Sequence, residues 1–277
     1  MNATPQSMIS VRGLRKSYKD KEVLKGVDFE VAPGEIFCLL GSNGAGKTTA
    51  VNILTTLGKA HGGSASINGF DVATQPAYVR ASISLTGQYA AVDQMFTGSE
   101  NLQLIAQLRR LKNPKKQAEK MLEIFRLSDA ADKLVSEYSG GMRRRLDIAM
   151  TLLGDSPVIF LDEPTTGLDP QSRIGMWKLI AEKAANGTTI FLTTQYLEEA
   201  EQLADKVAIL HEGVVAAYGT PDELKGGMRC ETTGAVPTLE DVFLNIIGEE
   251  ALAATLTNGS SKEGNNEDAA GATSKEG

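Results

Sequence analysis

Two hydrophobic periods divide this chain. Near the N-terminus, apolar and polar residues alternate through MISVRGLRKSY and VLKGVDFEV, the period-2 pattern of half-exposed antiparallel strands. GEIFCLLG (34–41) differs: a short unbroken apolar run between glycines, which predicts a strand buried on both faces of a parallel sheet. A helix is predicted over 47–57, turns and a short strand in GGSASINGFDV, and another strand in ASISLTGQ (81–88). From about 98 to 153 the period becomes helical. SENLQLIAQLRRL opens with Ser99 as candidate cap, PKKQAEKMLEIFRL with Pro114 in its first turn, and SGGMRRRLDIAMTLLG closes the stretch. Strand and helix patterns then alternate through PVIFLDE, DPQSRIGMWKLIAEKAANG, TTIFLTT, QYLEEAEQLAD and KVAILHEG.

This order predicts an α/β fold with a mostly parallel sheet, an N-terminal antiparallel β subdomain and an inserted α-helical subdomain at about 90–153. One domain is expected over 8–248, ending in a short C-terminal extension (about 220–248) that holds one amphipathic helix, PTLEDVFLNIIGEE. Residues 258–277 are Gly, Ser, Asn and charge, a composition with little to bury and an expected disordered tail. No internal repeat is visible.

Composition narrows the partners. The chain has 277 residues and a net charge of −7, a balance that argues against a nucleic-acid partner. Its two cysteines, Cys38 and Cys230, lie far apart, and Cys38 falls in the apolar run IFCLL, so it is expected in the core of a reduced, cytosolic chain. No apolar run approaches the roughly 18 residues that span a bilayer, and MNATPQSMIS has no apolar signal core. Any membrane association is therefore expected to come through a partner.

The strongest chemical signal is GSNGAGKTT, that is Gly41, Ser42, Asn43, Gly44, Ala45, Gly46, Lys47, Thr48 and Thr49, placed after a buried strand and before a helix. The glycines let several backbone N–H groups face one anion, and the helix N-terminus adds its dipole. Lys47 is expected to reach the β- and γ-phosphates of ATP, and Thr48 to place its hydroxyl on Mg²⁺. VIFLDE (158–163) supplies the complement. Asp162 emerges from a buried strand to hold Mg²⁺, and Glu163 polarises the attacking water as general base. These two motifs alone define a P-loop nucleotidase, with kinases and GTPases still open.

YSGGMRRRLDIAM (138–150) resembles the LSGGQ signature of the ATP-binding cassette ATPases, with Tyr138 for Leu and Met142 for Gln, and Ser139, Gly140 and Gly141 intact. The resemblance covers about residues 8–225 and makes the chain a candidate ATPase. It implies that Ser139 to Gly141 meet ATP bound by a second copy, in a head-to-tail homodimer. It further implies that Gln88 senses Mg²⁺ and water and links to the helical subdomain. Tyr18 stacks on adenine in this reading, a merely packed surface tyrosine being the other. Asp169 in TTGLDPQSR lies at the dimer seam, with Pro170 opening a helix. Gln195 falls where the family has a switch histidine, so it either senses the γ-phosphate as a neutral amide or marks a slow site. Arg143, Arg144 and Arg145 oppose the helix dipole, so carboxylates or phosphate are expected beside them.

SGGMRRRL, TTQYLEEAE and PTLEDVFL are similar to the drug-resistance branch of bacterial exporters, whose type member exports daunorubicin. That resemblance implies an ATPase at the cytoplasmic face of the membrane, joined to a separate integral membrane permease. An importer ATPase or a non-transport cassette ATPase remains the alternative. Relatives carry a longer C-terminal region before TLEDVF, whereas here about ten residues bridge TPDELK to it.

Overall fold

The computed structural model describes residues 7–87, 92–226, 237–246 and 248. Two sheets organise it. The first is antiparallel: β1 (Ile9–Tyr18) and β2 (Lys21–Val31) pair through a tight turn, and β4 (Gly62–Ile67) and β5 (Phe70–Asp71) extend them in the order β2-β1-β4-β5. The second contains β3 (Ile36–Leu40), β6 (Ile83–Thr86), β7 (Val158–Asp162), β8 (Thr189–Thr194), β9 (Lys206–His211) and β10 (Val214–Gly219), in the order β10-β9-β3-β8-β7-β6. Every pairing in it is parallel except β9 with β10.

β3, β7 and β8 are buried at every position, as their apolar runs require. Their side chains divide by the period of 2. Ile36, Cys38, Leu40, Ile159, Leu161, Ile190 and Leu192 join one core with the helices. Phe37, Leu39, Val158, Phe160 and Phe191 join a second core with Val11, Leu24, Val27 and Phe29 of the antiparallel sheet. α1 (Lys47–Leu54) sends Ala50, Val51, Ile53 and Leu54 into this second core. An aromatic row crosses it, with ring centroids 4.9 Å apart for Phe29–Phe37 and 5.1 Å for both Phe37–Phe191 and Phe160–Phe191. Such contacts contribute about 0.5–1.5 kcal/mol per pair beyond area burial.

Between β6 and β7 in sequence lie α3 (Gly98–Leu108), α4 (Pro114–Ile124) and α5 (Gly140–Leu152), which bury Leu102, Ala106, Met121, Leu122, Leu146 and Ile148 together. Tyr138, the residue replacing the signature Leu, is buried among them and donates its hydroxyl to Ala130 O at 2.6 Å. α6 (Pro170–Ala185) and α7 (Leu197–Leu203) flank β8 in sequence, with Pro170 at the first helical position. Cys38 is buried, as its place in β3 dictates; Cys230 and residues 258–277 lie outside the described residues.

Several expectations are corrected. The helix predicted over 47–57 ends at Leu54, because Thr56 adopts a left-handed φ of 66°. α2 (Pro76–Ser82) stands where no helix is predicted, and the strand expected at 81–88 is shortened to β6. GGSASINGFDV makes two strands, not one. The cap of α3 is Thr97, not Ser99. Thr97 Oγ1 accepts from Glu100 N at 3.1 Å and Glu100 Oε2 accepts from Thr97 N at 2.8 Å, a reciprocal capping box. β10 has no strand pattern in the sequence, because it is an edge strand with only Gly219 buried. α8 (Pro221–Gly226) stands where no helix is predicted, and 239–246 is helical as expected.

Candidate active site

The strand order places the chemistry. β8 lies between β3 and β7, so the C-terminal ends of all three are adjacent, the usual ligand crevice of an open α/β sheet. Leu40 pairs with Thr194 and Thr193 with Asp162, so Gly41, Gln195 and Glu163 leave the sheet along one edge. A cleft of about 740 Å³ opens there. Asn43, Gly44, Gly46, Lys47, Thr48, Thr49, Asp162 and Glu163 line it, together with Val23, Arg144 and Thr166.

The phosphate loop has the geometry its glycines suggest. A Cβ on Gly41 would lie 2.4 Å from Leu210 O, so only glycine fits beside β9. Gly46 has φ 113° as the N-cap of α1, and a Cβ there would come 2.8 Å from Leu24 Cδ2. Lys47 is buried to 4% exposure. Its Nζ donates to Gly41 O at 2.8 Å and Ser42 O at 3.1 Å, and pairs with Glu163 Oε1 at 3.2 Å.

Asp162 is buried, and its Oδ1 accepts from Thr193 Oγ1 at 2.6 Å. Glu163 has φ 48°, the left-handed region that a non-glycine residue enters at a cost of about 1–3 kcal/mol. Its N–H donates to both Thr193 O and Thr193 Oγ1 at 3.1 Å, which hold the turn in place. Other non-glycine residues, Thr56 among them, also have positive φ; what sets Glu163 apart is that it lies in the cleft beside Lys47 and Asp162.

Arg144 spans three elements. From the second turn of α5 its guanidinium donates to Gly87 O at 2.6 Å, Asp162 O at 2.7 Å and Glu163 O at 3.2 Å, and lies 3.6 Å from Asp147. Arg145 reaches Phe125 O and Arg126 O, and lies 3.8 Å from Asp169. Arg143 donates to Ser136 O at 3.4 Å. Two of the three arginines thus meet carboxylates, and one, Arg144, enters the cleft.

The remaining candidates lie elsewhere. Ser139 caps α5, accepting from Met142 N at 3.2 Å, and with Gly140 is exposed; neither is among the residues lining this chain's own cleft. Asp169 caps α6 through Ser172 N (2.9 Å) and Ser172 Oγ (2.6 Å); these bonds, chiefly, and Arg145 lower its pKa. Tyr18 ends β1, 52% exposed, with Lys16 Nζ 5.1 Å from its ring centroid. Gln195 occupies the half-exposed turn after β8 and is not among the residues lining the cleft. Gln88 lies outside the described residues. Thr193 and Arg144, which hold Asp162 and Glu163 by hydrogen bonds, have no individual sequence signal: one is a β-branched residue in a strand, the other one of three arginines.

Comparison with known proteins agrees with this geometry. Residues 24–166 match the family model described as ABC transporter. The chain is 49% identical over 232 residues, 82% of its length and 72% of the relative's, to the daunorubicin resistance ATP-binding protein DrrA2 of Streptomyces coeruleorubidus. It is 40% identical over 228 residues, 79% of its length and 73% of the relative's, to the Nod factor export ATP-binding protein I of Paraburkholderia xenovorans. Among solved structures, an ATP-binding subunit of an ABC transporter superposes with a TM-score of 0.77 and 30% identity, covering 87% of this chain and all of the other.

Proposed function

The chain belongs to the ABC transporter family as one of its ATPases, and from that premise we propose that it powers export of a drug-like or lipophilic compound through a separate membrane permease. The observation that carries the reading is the convergence of Lys47, Asp162 and a strained Glu163 in one cleft at the ends of β3 and β7. Resemblance to relatives named for drug resistance and for export favours an exporter over an importer or a non-transport ATPase. Among the described residues no helix is long and apolar enough to cross a membrane, which fits a peripheral subunit on the cytoplasmic face.

In this reading Lys47 gives up its carbonyl contacts to the β- and γ-phosphates of ATP. Glu163 Oε1, 3.2 Å from Lys47, accepts the proton of the attacking water. The donor set suits Mg²⁺. Thr48 offers a hydroxyl and Asp162 a carboxylate, and among the described residues no cluster of three or more His, Cys, Asp or Glu could cage a metal by itself. One or two protein oxygens with phosphate and water are what Mg²⁺ prefers. The metal would neutralise charge building on the phosphates, and Gln88 would add a further oxygen. Tyr18 would stack on the adenine. The exposed Ser139 and Gly140, with the half-buried Gly141, would meet the ATP of a second copy, with Asp169 at the seam. Removal of the γ-phosphate would open that dimer and move the permease.

The decisive experiment uses the chain and its permease in sealed vesicles. ATP should drive a daunorubicin-like amphiphile across the membrane in the export direction, and Glu163→Gln should abolish transport. ATP-driven movement only in the opposite direction would overturn the exporter reading.

Gln195 makes a separate prediction. An amide can hold a γ-phosphate but does not titrate near neutrality, whereas histidine does. Gln195→Ala should lose most hydrolysis and retain ATP binding. Gln195→His should introduce an inflection near pH 6–7 that the wild-type pH–rate profile lacks. Unchanged turnover in Gln195→Ala would remove Gln195 from the mechanism.

A further inference from the structure

Beneath the turn that carries Gln195 lies a carboxylate that the mechanism above does not use. Glu199, on α7, is 1% exposed. Its Oε2 accepts from Thr165 Oγ1 at 3.1 Å and its Oε1 from Trp177 Nε1 at 3.4 Å, and the Thr194 hydroxyl also bonds to it. Thr165 is two residues past Glu163, in the loop running to Asp169. Trp177 is on α6, which that loop leads into. Thr194 ends β8, and its carbonyl accepts the N–H of Gly41, the first residue of the phosphate loop, at 3.2 Å. One carboxylate therefore touches the loop after Glu163, the helix after that loop, and the strand end joined to the phosphate loop.

We infer that Glu199 is a positioning residue for hydrolysis, holding the loop that follows Glu163 in register with the turn that carries Gln195. This rests on the reading of Glu163 as the base. Simple stability does not account for a carboxylate here. Its direct partners are neutral donors, so burying its charge is costly, and burial indeed raises its pKa. What a carboxylate offers is acceptor capacity alone: two oxygens can take two hydroxyls and an indole N–H at once. A glutamine has one acceptor oxygen, and its NH₂ would face a donor. The contacts converge on segments rather than on one side chain, so losing them shifts catalytic groups without removing any.

The test uses the full-length chain and its sole tryptophan, Trp177, as reporter. Single-turnover hydrolysis, ATP affinity and Trp177 emission are measured for wild type, Glu199→Gln, Glu199→Ala, Thr165→Val and Glu163→Gln. Glu199→Ala should slow hydrolysis about ten- to hundredfold, the range for a small misplacement of reacting groups, with ATP affinity held at the wild-type value. Its Trp177 emission should shift. Glu199→Gln should be intermediate in both. Thr165→Val keeps the side-chain shape and should slow hydrolysis in the same way, so the inference remains testable if Glu199→Ala does not fold. Wild-type turnover in Thr165→Val, or in a folded Glu199→Ala whose emission has shifted, overturns the inference. Glu163→Gln separates the two readings. Active Glu163→Gln sinks the base assignment, while inactive Glu163→Gln with fully active Glu199 and Thr165 variants sinks only the role of Glu199.

Discussion

Replacing Glu163 by glutamine is expected to lower ATP turnover by about 10²–10⁴-fold, the contribution of a positioned general base, while leaving ATP binding intact. The substitution keeps size and shape, so the turn at φ 48° and its two bonds to Thr193 should survive. It removes the charge that pairs with Lys47 at 3.2 Å, which frees the ammonium for phosphate. Affinity should therefore hold or rise, and nucleotide should remain bound as uncleaved ATP. Single-turnover hydrolysis and the identity of the retained nucleotide check both halves. Near-normal turnover would remove Glu163 from the role of base.

Lys47→Met should weaken ATP binding by roughly ten- to a hundredfold, as expected for losing charge-assisted bonds of about 1.5–3 kcal/mol. Methionine matches the length of the stem but offers no donors. Lys47 is 4% exposed and its Nζ makes two carbonyl contacts inside the loop, so the variant also leaves Gly41 O and Ser42 O without this donor. Loop and helix should nevertheless persist, because Gly41 and Gly46 are fixed by close backbone approach rather than by the lysine. Equilibrium binding of a fluorescent ATP analogue is the readout. Wild-type affinity would show that the cleft around α1 is not the nucleotide site.

Much of this was legible beforehand, for identifiable reasons. GSNGAGKTT and VIFLDE are short, local and tied to backbone geometry, and their strands are continuous apolar runs that sit in the middle of a sheet. Burial of β3 on both faces followed from its unbroken apolar run; that Cys38 joins the core with the helices and Phe37 the core with the antiparallel sheet did not. What stayed hidden depends on tertiary contact. VVAAYG reads as nothing in particular because β10 is an edge strand with little to bury. PAYVRAS is too short to show a helical period. Thr97 rather than Ser99 caps α3 because the chain reaches the helix two residues earlier than the leucine spacing suggests. Glu199 stands beside Glu198 in an acidic run, yet one is buried to 1% and the other pairs with Arg173 at 3.6 Å on the surface. No property of the dipeptide distinguishes them; the packing of Trp177 and Thr165 does.

Arg144 holds Gly87, Asp162 and Glu163 only through their carbonyl oxygens. Main-chain oxygens are indifferent to side-chain identity. The mechanical joint between α5 and the end of β7 is thus written in backbone, and the chemistry beside it in side chains. A carboxylate can be exchanged for an amide at 162 or 163 without disconnecting the joint, and the joint can be cut at Arg144, itself a residue of the cleft wall, without altering the side chains of Lys47, Asp162 or Glu163. The backbone joint and the carboxylates beside it can therefore be altered separately, one residue at a time.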